Sequence, residues 1–209
     1  MNFRLLYEGP IAPRQRATLP DIHAIRKAFD PQVRELWQHL PLSAESEKLL
    51  KHPHEVPTNH IGILERRGTT VFAPLVTKRL ELMCELEIVF LRKQAPGQLI
   101  GDGDGGDIDN RIKTLLDALS MPPLAQQRHF EDATSSSVIH CLLQDDSLVT
   151  KLSVETDRLL RPTESAHDLV AIIRARVAAN LIVGEFPRTS TRSNVKLTSS
   201  PRSYWHRRT

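Results

Sequence analysis

The chain has 209 residues, of which 40% are hydrophobic and 25% are charged. This composition is typical of a globular chain with one domain or at most two small ones, and it excludes collagen-like and disordered classes. The longest apolar runs, such as residues 88–91, are far shorter than the roughly 20 residues that cross a bilayer, so no membrane partner is expected. The first ten residues lack the apolar stretch of a secretory signal, and a cytoplasmic location is therefore the expectation.

Charge is distributed unevenly along the chain. Residues 1–100 contain 14 basic and 11 acidic side chains, residues 101–183 contain 8 basic and 13 acidic ones, and residues 184–209 contain 6 basic residues and one acid. Basic ends around an acidic middle suit a surface that binds a polyanion next to a centre that binds a cation. Ordinary scatter of charge with a solvated tail remains the simpler interpretation of this pattern.

The first part of the chain predicts a strand, two short helices and a hairpin. Phe3, Leu5 and Tyr7 alternate with more polar residues, as in a half-buried strand. Apolar residues between 22 and 40 recur with helical spacing, and Pro31 is expected to divide them into two helices. Residues 61–64 and 69–76 flank a turn at residues 66–68 and predict a hairpin.

The second part predicts a long strand, a helix and three further strands. Residues 80–91 alternate regularly and lead into an acidic, glycine-rich stretch that ends in two candidate helix caps, Asp109 and Asn110. A helix follows and is expected to end at Pro122 and Pro123. Residues 138–143, 148–154 and 169–177 predict strands, and Asp145 and Asp146 stand where the first of these ends.

These elements predict an α+β or mixed α/β fold, a mixed sheet of about six strands with helices packed on it. A single domain is expected over residues 1–183. Residues 184–209, which are rich in Ser, Thr and Arg, are expected to form a basic, flexible tail.

A set of carboxylates carries the chemistry that the sequence suggests. If Asp107 and Asp109 lie where an extended segment meets the helix, their spacing puts both on one side. Asp109, Lys113 and Asp117 step by four along the helix and share a flank beside its apolar stripe. Asp146, arriving before the next strand, is expected to complete a cluster of three or four carboxylates with a lysine beside them.

Such a cluster requires a counter-charge, because neighbouring carboxylates raise one another's pKa. Oxygen ligands without nearby Cys or His favour Mg²⁺, with Mn²⁺ as a substitute, over Zn²⁺. The metal would lower the pKa of a bound water for attack on a phosphodiester, and Lys113 would orient the nucleophile or stabilise an oxyanion. The alternative is structural: Asp109 or Asn110 caps a helix, Lys113 and Asp117 form a surface pair, and Asp145 and Asp146 form a turn.

The pattern Asp107-x-Asp109-Asn110-x-x-Lys113-x-x-x-Asp117, followed by Asp145-Asp146, resembles the RusA family of Holliday-junction resolvases. The resemblance implies a RusA-like mixed sheet in a homodimer that cuts branched DNA with Mg²⁺ during recombination or repair. It assigns Asp107, Asp109 and Asp146 as metal ligands and catalytic residues with Lys113, and Asn110, Asp117 and Asp145 as supporting residues. Relative to a compact member of this family, residues 42–79 and 124–137 look like insertions.

Basic residues beside the predicted strands are candidate DNA contacts: Arg14, Arg16, Lys78, Arg79, Arg92 and Lys93. Each could equally be an ordinary solvated charge. Two other functions stay open beside the junction-cutting nuclease. One is a module that binds branched nucleic acid without cutting it, and the other is a metal-dependent nuclease for flaps, RNA or another structured substrate.

Overall fold

The computed structural model describes residues 1–58, 60–93, 108–130, 138–161 and 168–179. In chain order these segments contain β1 (Asn2–Pro10), α1 (Leu19–Leu36), α2 (Ser46–Leu49), β2 (Glu65–Arg67), β3 (Thr70–Val76), β4 (Leu82–Arg92), α3 (Ile108–Leu119), β5 (Ile139–Leu143), β6 (Val149–Arg158) and β7 (Asp168–Ala179). Short 3₁₀ helices lie at Leu42–Ala44, Pro53–Glu55, Lys78–Leu80, Leu124–Phe130 and Asp146–Leu148. The α+β class is confirmed.

The strands form two mixed sheets. The larger has the order β1-β7-β4-β6, in which β7 is antiparallel to both of its neighbours and β6 is parallel to β4. The smaller has the order β2-β3-β5, with an antiparallel hairpin and a parallel β3–β5 pair. A parallel pair needs a crossover connection, and α3 lies in the segment that joins β3 to β5 through β4.

The alternation predicted for the two central strands is confirmed. Cys84, Leu86, Ile88 and Phe90 of β4 are buried, as are the alternating residues of β7 from Leu169 to Val177. Their apolar face packs against α1 and α3 in one continuous core. On the opposite face, charged side chains pair across the strands: Arg174 with Glu87 at 3.1 Å and Arg176 with Glu85 at 3.6 Å.

One helix replaces the two that were expected around Pro31. Helix α1 runs without a break through Pro31, which is exposed, as is Lys27 one turn before it. Proline has no N–H to donate to the carbonyl of Lys27, four residues earlier. Because Lys27 is exposed, water can hydrogen-bond to that carbonyl instead. Residues on the other face, from Ile22 to Val33, bury a continuous apolar stripe, and this packing outweighs the missing hydrogen bond.

Three boundaries also differ from the sequence-based expectation. The hairpin exists, but its first strand begins at Glu65, and Gly68 takes the turn with a φ of 58°. Helix α3 begins at Ile108, so Asp109 and Asn110 lie inside its first turn and are not its caps. The start of the predicted surface loop 124–137 is a 3₁₀ helix that buries Phe130 against Phe72 at 5.6 Å between ring centroids.

Both cysteines, Cys84 and Cys141, are buried free thiols. Burial raises the pKa of each thiol to about 12. Neither is therefore a thiolate near neutral pH. None of the helices in the described segments is long and apolar enough to cross a membrane. The acidic stretch 101–107 and the tail 184–209 lie outside the described residues.

Candidate functional site

The carboxyl end of α3 meets the carboxyl end of β5. The amide of Met121 donates to the carbonyl of Leu143 at 2.9 Å, beside a parallel bridge between Ser120 and Leu143. The amide of Gln144 in turn donates to the carbonyl of Val76 at 2.9 Å. These contacts fix the last turn of α3 next to the segment that carries Asp145 and Asp146.

A cavity of about 410 Å³ opens at this junction. It is lined by Arg67, Lys78, Asp117, Ser120, Met121, Pro122, Pro123, Leu124, Gln144, Asp145 and Asp146. Three of the predicted acids, Asp117, Asp145 and Asp146, therefore share one cavity, together with two cationic side chains.

Asp145 and Asp146 are neighbours with different roles. Asp145 caps the 3₁₀ helix that follows, and its carboxylate accepts a hydrogen bond from the amide of Ser147 at 2.9 Å. The side-chain and backbone hydrogen bonds from Ser147, and then the charge of Lys78, hold the pKa of Asp145 below its usual value. The exposed carboxylate of Asp146 has no hydrogen bond or ion pair with any described residue. Of the two, Asp146 is the one available to a ligand.

Asp117 is held from two directions. Its carboxylate pairs with Nε of Arg14 at 2.7 Å, and both side chains are about 40% exposed. Its carbonyl accepts a hydrogen bond from Nη2 of Arg26 at 2.7 Å, while Nε of Arg26 donates to the carbonyl of Ser120 at 2.9 Å. Arg26 is 3% exposed. A buried guanidinium therefore satisfies carbonyl groups at the end of α3, where helices leave them without partners.

The amino-terminal half of α3 holds the other predicted residues. Oδ2 of Asp109 pairs with Nζ of Lys113 at 2.9 Å, and both side chains are more than half exposed. This confirms that the two share a helix flank. The carbonyl of Asn110 accepts hydrogen bonds from the amide of Arg14 at 3.0 Å and the hydroxyl of Thr114 at 3.2 Å. Asp107 lies outside the described residues.

Asp109 lies on α3 away from the cavity that Asp146 lines. Asp109 and Asp117 are eight residues apart on α3, which corresponds to about 12 Å along the helix axis. Asp117 lines the cavity beside Asp146, whereas Asp109 does not. Within the described segments, no group of three Asp, Glu, His or Cys side chains could hold a metal ion. The convergence of Asp107, Asp109 and Asp146 on one ion therefore stays a prediction.

The candidate DNA contacts fall into three places. Arg14 and Arg16 lie in the loop that packs against α3, and Arg14 is engaged by Asp117. Lys78 and Arg79 are exposed in the 3₁₀ helix before β4, with Lys78 at the cavity. Arg92 is partly buried at the end of β4, and Lys93 beside it is exposed.

Sequence analysis missed two buried arginines, Arg26 and Arg111. Arg111 is 8% exposed, and its Nη1 donates to the carbonyl of Ile11. It stands one turn before Leu115, on the face that α3 buries. A charged residue within the apolar stripe of a helix indicates a buried partner or a functional role, because an isolated buried charge is costly.

No protein-family model matches the chain, and no curated protein or solved structure matches it. The likeness to RusA resolvases therefore stands on the motif residues alone.

Proposed function

We propose that the chain is a Mg²⁺-dependent endonuclease of the RusA type that cuts four-way or other branched DNA in recombination or repair. The observation that carries the proposal is the carboxylate of Asp146, which opens onto a cavity shared with Asp117 and has no partner among the described residues. An exposed carboxylate in that position suits a hard divalent cation. The motif supplies Asp107 and Asp109 as the further proposed ligands.

The roles of the other residues follow from their contacts. When bound, the metal would supply an activated water and offset charge on the phosphate under attack. Lys113 is held by Asp109 at 2.9 Å, and an ammonium group has three N–H donors, so Lys113 can also donate to a phosphate oxygen. Asp145 holds the turn that presents Asp146, and the Arg14–Asp117 pair holds the loop 10–16 against α3.

Asp146→Asn tests the proposal most simply, because it removes a metal-binding charge and keeps the shape of the side chain. With a synthetic four-way junction and Mg²⁺, we expect the wild-type chain to cut and Asp146→Asn to lose on the order of a hundredfold in rate or more, because loss of a ligand should cost at least as much as the roughly 10- to 100-fold lost with an outer-shell partner. Binding of the uncut junction in EDTA should be retained. Glu47→Gln, the same change at an exposed residue of α2, is the matched control.

Two results would contradict the proposal. Cutting by Asp146→Asn at the wild-type rate would remove Asp146 from the reaction. Tight binding of the junction with no cutting in Mg²⁺ or Mn²⁺ would favour the second candidate, a module that binds without cutting. The Asp109–Lys113 pair favours that candidate, because there the lysine already neutralises one proposed ligand. Parallel reactions with flap, duplex and RNA substrates would distinguish a junction-cutting nuclease from one that cuts another structured substrate.

The resemblance also leads us to propose a homodimer, since two strands of a junction are cut in a paired manner by the family. Light scattering coupled to size-exclusion chromatography should give twice the mass of the chain. A monomer at micromolar concentration, with and without DNA, would contradict this part of the proposal.

A further inference from the structure

Arg111 is a buried charge whose hydrogen bonds are incomplete. Its side chain is 8% exposed, and one nitrogen, Nη1, donates to the carbonyl of Ile11. Its Nε is fully buried and has no hydrogen-bond partner in the part of the chain that the structure describes. No carboxylate among the described residues pairs with its guanidinium. Leaving a charged group buried in this state is costly unless a counter-ion compensates for it.

Two further arginines lie near Arg111. In the larger sheet Arg92 is in register with Leu169, and Leu169 is in register with Gly9, which directly precedes the loop 10–16 that Arg111 contacts and that carries Arg16. Arg92 is partly buried at the end of β4, and burial lowers the pKa of its own guanidinium. The side chain of Arg92 forms no ion pair within the described part of the chain. Three cationic groups thus meet where β4, the loop 10–16 and α3 come together.

The surroundings of Arg92 and Arg111 contrast with those of Arg14. Arg14 pairs with Asp117 at 2.7 Å, so its charge is balanced within the protein. Among the described residues, no carboxylate balances Arg92 or Arg111 in this way. Like charges held together in a partly desolvated place favour an ion of opposite sign, and a guanidinium matches the geometry of phosphate oxygens.

We propose that Arg92 and Arg111 form a binding site for a phosphodiester group of nucleic acid. This site rests on the proposed function, because it would hold a DNA strand beside the amino-terminal half of α3, where Asp109 and Lys113 stand. It differs from the cavity at the other end of α3, which presents the carboxylate of Asp146. A free phosphate ion has the same chemistry as the phosphodiester, and the experiment separates the two.

The experiment compares the full-length wild-type chain with Arg92→Gln and Arg111→Lys. Arg92→Gln is the main variant, because the Arg92 side chain has no partner in the described segments whose loss would disturb folding. Arg174→Gln, which breaks a surface pair with Glu87, is the control. Binding of a labelled four-way junction is measured by fluorescence anisotropy in EDTA at several salt concentrations, so that no cutting occurs. The melting temperature is measured in parallel with and without inorganic phosphate.

We expect Arg92→Gln to weaken junction binding several-fold and to reduce the slope of log K against log salt by about one, the loss of one phosphate contact. Arg111→Lys keeps the charge and loses the fork of donors, so it should weaken binding with little change in slope. Arg174→Gln should bind as the wild type does.

Three results would overturn the proposal. Wild-type affinity and slope in Arg92→Gln would show that no phosphodiester binds there. A melting temperature that rises with inorganic phosphate in the wild type but not in Arg92→Gln, with DNA binding unaffected, would assign the site to a free anion. The absence of both effects would leave the arginines with a structural role. If the wild type binds DNA through Arg92 and never cuts it, the nuclease proposal fails and this site stands.

Discussion

Near the two ends of α3, the charged groups that have no ion pair among the described residues differ in sign. At its carboxyl end, the carboxylate of Asp146 faces a cavity and is not balanced by any described residue. Toward its amino end, the guanidinium groups of Arg92 and Arg111 are partly or fully buried, and no carboxylate in the described segments pairs with them. The comparison teaches that an unpaired carboxylate and unpaired guanidinium groups can lie near opposite ends of one helix, where different parts of one ligand can contact them.

Arg26 and Arg111 differ in how completely their buried guanidinium groups are hydrogen-bonded. Both are buried, at 3% and 8% exposure. Arg26 donates to the carbonyls of Ser120 and Asp117, so it completes the end of the helix. Arg111 donates to one carbonyl and has a buried nitrogen without a partner. The first is therefore expected to serve stability, and the second to serve a ligand.

The largest change in stability should come from Arg26→Met. The substitution keeps the apolar stem and removes the donors to the carbonyls of Ser120 and Asp117. We expect the free energy of unfolding to fall by about 3 kcal/mol, since charged hydrogen bonds and buried acceptors are both lost. Urea denaturation measures the loss.

Arg34→Met on the same helix is the control. Nη2 of Arg34 lies 3.7 Å from Oδ2 of Asp30, and the Arg34 side chain is about half exposed, so this ion pair is weak. Its effect should stay within about 1 kcal/mol. Equal effects of the two substitutions would show that Arg26 does not hold the end of α3.

A smaller loss of unfolding free energy is expected from Asp145→Ala, which removes the cap of the turn that carries Asp146. At pH 7 the cost should be about 1 kcal/mol, a typical value for a lost cap. The pKa of Asp145 in the folded chain lies below its ordinary value of 3.8. Its stabilising effect is therefore complete above that pH and is lost as the pH falls through the lower folded value.

The difference in unfolding free energy between Asp145→Ala and the wild type should shrink accordingly in urea titrations below about pH 4. Asp145→Asn, which keeps a capping oxygen but loses the charge, should lie between the wild type and Asp145→Ala at pH 7 and show a smaller pH dependence than the wild type. A pH-independent difference would mean that the charge of Asp145 plays no part in the cap.

The smallest change in stability is expected for Arg111→Met. The loss of its hydrogen bond to the Ile11 carbonyl is offset by the removal of a buried charge without a counter-ion. We expect a net change within about 1 kcal/mol in phosphate-free buffer, because buried charges are often replaced by apolar groups without loss. A loss as large as that of Arg26→Met would show that Arg111 is a structural residue.

Much of the fold was predictable from local patterns. The alternation of β4 and β7 and the apolar stripe of α3 were read correctly because burial on one face leaves a period in the sequence. The break at Pro31 was wrong because a proline on an exposed face costs less than the apolar face of α1 gains by packing. Phe130 was placed in a surface loop because its contact with Phe72, 58 residues away, leaves no local signal.

The site was predictable only in part. The flank shared by Asp109 and Lys113 follows from helical spacing, and the place of Asp146 follows from the end of an apolar run. The partners Arg14 and Arg26 were not predictable, because they approach α3 from the loop 10–16 and from α1. Long-range contacts of this kind depend on how the elements pack, which a single sequence does not encode locally.

The central claim is that the two ends of α3 act differently on one DNA substrate, and junction cleavage at increasing DNA concentration with Mg²⁺ tests it most directly. We predict that Asp146→Asn lowers the maximal rate by about a hundredfold or more with little change in half-saturation. Arg92→Gln should raise the half-saturating DNA concentration several-fold and leave the maximal rate near that of the wild type. The same kinetic defect in both variants, or no cleavage by the wild type, would contradict the account.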